Sequence, residues 1–135
     1  MNIRSVVAVA PIVRDTATSA SFYRDTLGIA FDGEEDAYLF TNSLEGITHF
    51  GLWQLSDAAR SCFGVDAWPA DVPAAQACIE FDVEDLEAAA RELERAGYKP
   101  LHEVETQPWG TTVIRLISPE GLVVVVGHTP TPPVE

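Results

Sequence analysis

The two halves of this chain carry the same pattern of residues. The segments VAPIVRDTATSASFYRDTLGIAF (9–31) and CIEFDVEDLEAAARELERAGYKP (78–100) each run from a β-type stretch through an aspartate into an amphipathic helix that ends at a glycine. The aspartates, Asp15 and Asp85, lie half a chain length apart. A repeat of this size predicts two copies of one unit that bury their apolar faces together. Paired units enclose a cavity, and the residues that line it decide function.

Length and apolar content predict one compact domain. The chain has 135 residues, of which 47% are hydrophobic, which suits a single core rather than two independent domains. Its longest apolar run, GLVVVVG, has the length of a strand and falls far short of the roughly 20 residues of a membrane span. The N-terminal residues lack the features of a signal peptide. We therefore expect a cytoplasmic protein with free thiols at Cys62 and Cys78.

The charge balance excludes one class of partner and favours another. The chain carries 21 acidic against 8 basic residues, a formal net charge of −13. Nucleic acids and anionic membranes require a basic surface, so neither is expected to bind. A cationic ligand is compatible with this field, although acidity also serves solubility alone.

Strand and helix signals follow the order β-α-β-β-β in each half. One predicted half-unit spans about 5–55 and the other about 77–128. Residues 56–76 contain two prolines, a glycine and little periodicity, which predicts a loop with one helical turn that serves as a linker between the units or as a functional flap. The run TTVIRLISPEGLVVVVGH predicts a hairpin that turns at Ser118–Gly121.

Three segments carry a resemblance to a known family. They are IVRDTATSASFYRDTLGIAF, FDVEDLEAAARELERAG and QPWGTTVIRLISPEGLVVVV. Together they resemble the vicinal-oxygen-chelate superfamily, which holds glyoxalases, extradiol dioxygenases, fosfomycin-resistance enzymes and bleomycin-resistance proteins, over residues 6–127. The resemblance implies a single α+β domain over 1–135, in which two βαβββ units form cup-shaped mixed sheets with helices on the convex side.

The resemblance also implies where a metal ion would bind, and those positions hold the wrong residues. Metal-dependent members use His and Glu at corresponding strand positions, which fall here on Ala8, Cys78 and Val125. The two aliphatic side chains have no electron pair to donate, and a lone thiolate suits a hard cation poorly. We expect no metal and no cofactor. The least unfavourable alternative is a site formed by His49, Glu80 and Asp82.

Strand alternation predicts which side chains line the cavity. In the register of the resembled family, the concave set is Ala8, Ala10, Ile12, His49, Gly51, Trp53, Cys78, Glu80, Asp82, Val123 and Val125. The opposite set, which would pack under the helices, holds most of the β-branched residues. Glu80 and Asp82 offer paired negative charge, and Trp53, Trp68 and Trp109 offer flat surfaces for stacking and cation–π contacts.

These observations predict a metal-independent binding protein of the bleomycin-resistance type, which sequesters a planar, cationic antibiotic or natural product. The predicted ligand-binding residues are His49, Trp53, Trp68, Cys78, Glu80, Asp82, Trp109 and Arg115. No catalytic residue is assigned, because the chain has no G-x-S-x-G and no phosphate-binding glycine loop.

Two alternatives remain open on the sequence. One is an enzyme of the same fold, either a lyase, isomerase or dioxygenase with a rebuilt metal site or a metal-free lyase with Glu80 as base. The other is a dimeric scaffold without a ligand. Half-units leave sheet edges and apolar faces for a partner to cover, so we expect a homodimer whose cavities are built by both chains.

Overall fold

The computed structural model describes residues 1–130 and contains the predicted repeat. The strands are β1 (Ile3–Val13), β2 (Asp32–Glu34), β3 (Tyr38–Thr41), β4 (His49–Gln54), β5 (Ala77–Val83), β6 (Glu105–Thr106), β7 (Thr112–Ile117) and β8 (Val123–His128). The helices are α1 (Thr16–Ala20), which continues as a π-helical segment (Ser21–Thr26), α2 (Leu55–Phe63) and α3 (Leu86–Arg95). Among these residues, no helix has the length and apolarity needed to cross a membrane.

The repeated aspartates begin the first helix of each half. The Asp15 carboxylate accepts a hydrogen bond from the Thr18 backbone N–H at 3.3 Å, and Asp85 accepts one from Ala88 at 3.0 Å. Each bond satisfies a backbone donor that the helix leaves free in its first turn. The same sequence signal therefore has the same structural cause in both halves.

All eight strands form one mixed sheet that is curved and not closed, in the order β2-β3-β4-β1-β5-β8-β7-β6. Within each half the first strand lies parallel to the last, as β1 to β4 and β5 to β8. The halves join through the antiparallel pair β1–β5, which sets Ala8 opposite Glu80 and Ala10 opposite Cys78. The predicted α+β class and the predicted hairpin between β7 and β8 are confirmed.

The predicted division of side chains between the two faces is confirmed by the packing. One face packs against α1 and α3 through two clusters of buried residues. These clusters comprise Val13, Ala20, Leu39 and Leu52 in the first half, and Val83, Leu86, Ala89, Ile114, Leu116 and Val126 in the second. The other face, called here the concave face, carries the alternate set that includes Ala10, Ile12, Cys78, Val123 and Val125.

The segment 56–76 differs from its prediction, because it opens with a regular helix. Helix α2 places Ala58, Ala59 and Cys62 on one buried side and ends at Gly64, which has φ 76°. Ala58 and Cys62 pack with Ala10, Ile12 and Cys78. The helices of the two units, α1 and α3, lie on the convex side as expected, whereas α2, in the predicted linker, lies on the concave face. Its buried side is made of small residues, which let a helix approach the sheet closely.

Candidate functional site

One row of side chains crosses the concave face from β4 to β7. The register aligns His49 with Ala8, Ala8 with Glu80, Glu80 with Val125, and Val125 with Arg115. Neighbouring strands lie about 4.8 Å apart, so the His49 and Glu80 backbones are roughly 10 Å apart with Ala8 between them. The small side chain of Ala8 thus leaves open space on the sheet between the His49 imidazole and the Glu80 carboxylate.

The next row is built from small residues, and one of them is covered by an aromatic ring. Cys78 lies beside Ala10 on one side and Val123 on the other. Gly51 is paired with Phe40 of β3, and a Cβ built on Gly51 would overlap the Tyr38 hydroxyl. Glycine at this position therefore lets the Tyr38 side chain lie flat across β4.

Tyr38, His49 and Asn42 are linked by short hydrogen bonds. The Tyr38 hydroxyl lies 2.6 Å from His49 Nε2, and His49 Nδ1 lies 2.7 Å from Asn42 Oδ1. The rings of Tyr38, Phe40 and His49 stack on one another, with centroids 5.5–5.7 Å apart. Burial lowers the pKa of His49, and burial with the charges of Cys78 and Glu80 raises the pKa of Tyr38 to about 12. Both side chains are therefore uncharged at neutral pH.

Glu80 is a partly buried carboxylate without a partner. Within residues 1–130 no side chain or backbone group hydrogen-bonds to it, and no cation lies within ion-pair distance. Burial raises the pKa of Glu80, the Arg115 guanidinium opposes the rise, and the Asp82 carboxylate adds to it. An unpaired, partly desolvated charge is costly, which marks Glu80 as a candidate functional group on this face.

Asp82 does not join Glu80 as a second free acid. Its carboxylate lies 2.7 Å from Arg4 Nη2 and accepts a further bond from the Thr129 backbone N–H at 3.3 Å. The sequence suggested paired acids because the two residues share a strand face. The charge of Asp82 is instead balanced by an arginine that sequence spacing did not connect with it.

Arg115 is buried at the other end of the row. Its Nη1 donates to Glu105 Oε2 at 3.2 Å, to the Ser61 carbonyl of α2 at 3.4 Å, and to His102 Nε2 at 3.2 Å. Its Nε has no hydrogen-bond partner. Arg115 therefore ties α2 and the β6 edge to the sheet through the N–H groups of Nη1.

The cysteines are inert thiols in this fold. Cys78 is 6% exposed and Cys62 is 1% exposed. Burial raises the pKa of Cys78 to about 12 and that of Cys62 to about 11. A thiol in this state is not a nucleophile at neutral pH, because the thiolate is the reactive form.

The three tryptophans do not share one environment. Trp53 and Trp68 pack against the cluster under α2. The Trp68 ring meets Phe63 edge to face at 4.9 Å, and its Nε1 donates to the Val72 carbonyl at 3.0 Å. Trp109 is 75% exposed in the turn before β7. The three rings thus do not surround one ligand position, and Trp68 has a packing role.

The positions that correspond to metal ligands in the resembled family do not fit a divalent cation. In the repeat, Ala8 of the first half corresponds to Cys78 of the second. Strand β4 pairs with β1 in the same way as β8 pairs with β5, so Gly51 of β4 corresponds to Val125 of β8. Three of these positions carry no donor side chain, and Cys78 and Val125 are buried under α2. Among the described residues, no group of three His, Cys, Asp or Glu side chains could hold a metal ion. This includes His49, Glu80 and Asp82, the alternative site considered from sequence.

The sequence reasoning missed Tyr38, Phe40 and Asn42. Tyr38, Phe40 and Asn42 occupy every second position of AYLFTN, and residues spaced two apart in a strand lie on the same face of the sheet. The glycine in the middle of THFGLWQL was a second signal, since glycine within a strand often marks a close approach. Neither signal identifies the partner until β3 is placed beside β4.

Two surface cavities lie away from this row. One of about 730 Å³ surrounds the start of α3 and includes Glu84, Glu87 and His128. Another of about 390 Å³ lies between the end of α3 and residues 99–104. Neither contains any of the predicted ligand-binding residues. The larger space is acidic and lies at a helix start, whereas the unpaired carboxylate and the hydrogen-bonded aromatic group occur together on the concave face.

Comparisons with known proteins agree with this architecture. Residues 5–126 match the model of the Glyoxalase/Bleomycin resistance protein/Dioxygenase superfamily. A member of that superfamily from Vibrio splendidus 12B01 has a similar structure, with a TM-score of 0.64 and 16% identity over 95% of this chain and 100% of that one. A search of curated proteins finds no significant match.

Two further similar structures are methylmalonyl-CoA epimerases. The protein from Streptomyces coelicolor, in complex with 2-nitronate-propionyl-CoA, has a TM-score of 0.58 and 19% identity over 96% of this chain and 100% of that one. The protein from Mycobacterium tuberculosis has a TM-score of 0.58 and 14% identity over 96% and 90%. At these identities the likeness shows the fold alone. The family match covers nearly the whole described chain, and the chain therefore belongs to the glyoxalase/bleomycin resistance protein/dioxygenase superfamily.

Proposed function

We propose that this superfamily member is a small-molecule binding protein that works without a metal ion and sequesters a planar, cationic antibiotic or natural product. The ligand lies on the concave face over Ala8, between the Tyr38–His49 pair and Glu80. Binding changes no covalent bond in the ligand.

The unpaired carboxylate of Glu80 is the observation that carries this proposal. It is partly buried, faces the sheet surface that the superfamily uses, and has no cationic partner within residues 1–130. A cationic ligand would supply the missing charge, and the net charge of −13 would draw such a ligand towards the protein.

The aromatic side chains beside Ala8 account for the preference for a flat ligand. Tyr38, Phe40 and His49 form a stacked series of rings along one side of this open space. Flat rings favour planar ligands, and their electron-rich faces favour cations. Trp53 lies on the same face of β4, four residues beyond His49. Trp109 is a proposed outer contact of the ligand.

Ligand binding in the presence of excess EDTA tests the proposal. We expect planar cations to quench tryptophan emission, and Glu80→Gln to weaken their binding more than that of neutral analogues of the same shape. Glu84→Gln is the matched control, because Glu84 is an exposed carboxylate at the end of the same strand. Equal affinities for wild type and Glu80→Gln would place the site elsewhere.

A second function is favoured by the raised pKa of Glu80. A carboxylate that holds its proton at higher pH is a stronger base, and enzymes tune glutamates in this way. The alternative is a metal-free proton-transfer enzyme, such as a lyase or isomerase, with Glu80 as base. Incubation of a bound ligand in D₂O separates the two functions, since proton abstraction from carbon incorporates deuterium and sequestration does not.

We also propose that the protein is a homodimer whose sites both chains complete. Large apolar side chains are exposed on the first half-unit, with Ile3 at 45%, Val6 at 46%, Phe22 at 52% and Leu27 at 55%. A two-fold partner would bury such side chains. Sedimentation velocity at micromolar concentration should give the mass of two chains, and a uniform monomer would contradict the dimer.

A further inference from the structure

The hydrogen bonds from Asn42 to Tyr38 fix which atoms carry protons. With the Asn42 amide oxygen turned towards the ring, His49 Nδ1 carries the proton of their 2.7 Å bond, because Oδ1 can only accept. A neutral imidazole has one N–H, and His49 Nε2 is then an acceptor. The Tyr38 hydroxyl, 2.6 Å away, is therefore the donor in the second bond.

This arrangement leaves the Tyr38 oxygen as an acceptor towards the open face. A phenol has one proton and two lone pairs, and the proton is used by His49. No donor among residues 1–130 reaches the oxygen. Since Gly51 allows the ring to lie across β4, the hydroxyl is held over the sheet rather than in free solvent.

Glu80 presents a second acceptor on the same face. It lies across Ala8 from His49, and no described residue donates to it. The nearby arginines are engaged elsewhere, Arg4 with Asp82 and Arg115 with Glu105. The open part of the face thus offers two acceptors, and the His49 N–H that could have served as a donor is bound to Asn42.

We propose that Tyr38 Oη and the Glu80 carboxylate form a two-point acceptor that selects planar cations by their N–H groups. Protonated aromatic amines and amidines satisfy both acceptors. Quaternary aromatic cations of the same shape and charge satisfy neither, although they stack equally well. This inference rests on the proposed function, because it places the ligand at the same site.

Calorimetric titration with two acridines tests the selection. 9-Aminoacridine is a planar cation with N–H donors, and N-methylacridinium is a planar cation without any. Hydrogen bonds to charged groups contribute enough to predict that 9-aminoacridine binds about 10- to 150-fold more tightly. Tyr38→Phe should remove much of that preference by weakening the binding of 9-aminoacridine more than that of N-methylacridinium. Tyr98→Phe, which changes an exposed tyrosine, is the matched control.

Each outcome has a distinct meaning. If both acridines bind with equal affinity and Tyr38→Phe changes neither, the two-point acceptor is wrong while the proposed binding function stands. If neither acridine binds, both proposals fail for planar cations. The tautomer gives a check that needs no ligand or variant: ¹⁵N NMR of the wild-type protein should show His49 protonated at Nδ1. Protonation at Nε2 would make the Tyr38 hydroxyl a donor to the face and overturn the inference.

Discussion

The Tyr38 hydroxyl lies over Gly51, at the point where any side chain on residue 51 would meet it. The bare backbone of Gly51 is thus a requirement of the Tyr38–His49 hydrogen bond rather than of the strand itself. A larger residue at position 51 would therefore disturb the Tyr38 side chain and its hydrogen bond to His49.

Gly51→Ala should displace Tyr38 and destabilise the fold by about 1–3 kcal/mol, as overpacking commonly does. It should also weaken ligand binding, because the hydroxyl leaves His49. Urea denaturation of Gly51→Ala, Tyr38→Ala and the double variant measures the coupling. Purely additive free energies of unfolding would show that the two residues do not compete for space.

Glu80→Gln should stabilise the protein at neutral pH. Burial raises the pKa of Glu80 in the folded state, so the stability that its protonated form provides is present below the unfolded pKa and lost as pH rises through the folded pKa. Glutamine keeps the shape without that loss. Thermal unfolding at pH 4 and pH 7 should show a gain at pH 7 that shrinks towards pH 4. If Glu80→Gln is less stable than wild type at pH 7, the Glu80 carboxylate must be stabilised by favourable interactions in the folded protein.

His49 should contribute the opposite pH dependence. Its pKa is lowered by burial, so its contribution is present above the unfolded pKa and is lost as pH falls through the folded pKa. The free energy of unfolding should fall on acidification below about pH 6.5, the ordinary range of histidine. His49→Gln should flatten this part of the profile, and an unchanged slope would show that His49 is not its source.

The repeat, and which strand residues face each side of the sheet, could be predicted from sequence because both depend on local chemistry. Asp15 and Asp85 begin helices through their own carboxylates, and alternation separates Ala10 and Cys78 from Val13 and Val83. These signals need no knowledge of distant neighbours.

Helix α2 and the Tyr38–His49 pair could not be predicted in the same way. The apolar side of α2 consists of Ala58, Ala59 and Cys62, which give little hydrophobic contrast, and the prolines after it favoured a loop. The pairing of Arg4 with Asp82 and of Tyr38 with His49 depends on which strands are neighbours. Such contacts follow from topology rather than from spacing along the chain.

Trp68 and Trp109 should respond very differently to truncation. Trp68→Ala removes a ring packed on Phe63 and should cost about 3 kcal/mol or more. Trp109→Ala removes a ring that is 75% exposed and should change stability by at most about 0.5 kcal/mol. If Trp109 stacks on the ligand, its loss should weaken binding by about 5- to 150-fold, from roughly 1–3 kcal/mol per stacked ring. Wild-type affinity in Trp109→Ala would remove Trp109 from the site.

Metal independence is the central claim, and paired titrations of one protein sample test it most directly. The protein is stripped with EDTA, titrated with a planar cation, and titrated again after addition of Zn²⁺, Ni²⁺, Mn²⁺ or Fe²⁺. We expect the same Kd in both titrations and no thermal shift from the metal. A metal at about 100 times its Kd would stabilise the fold by roughly 2.7 kcal/mol. A shift of that size that His49→Ala abolishes, or binding that returns only with the metal, would contradict the account.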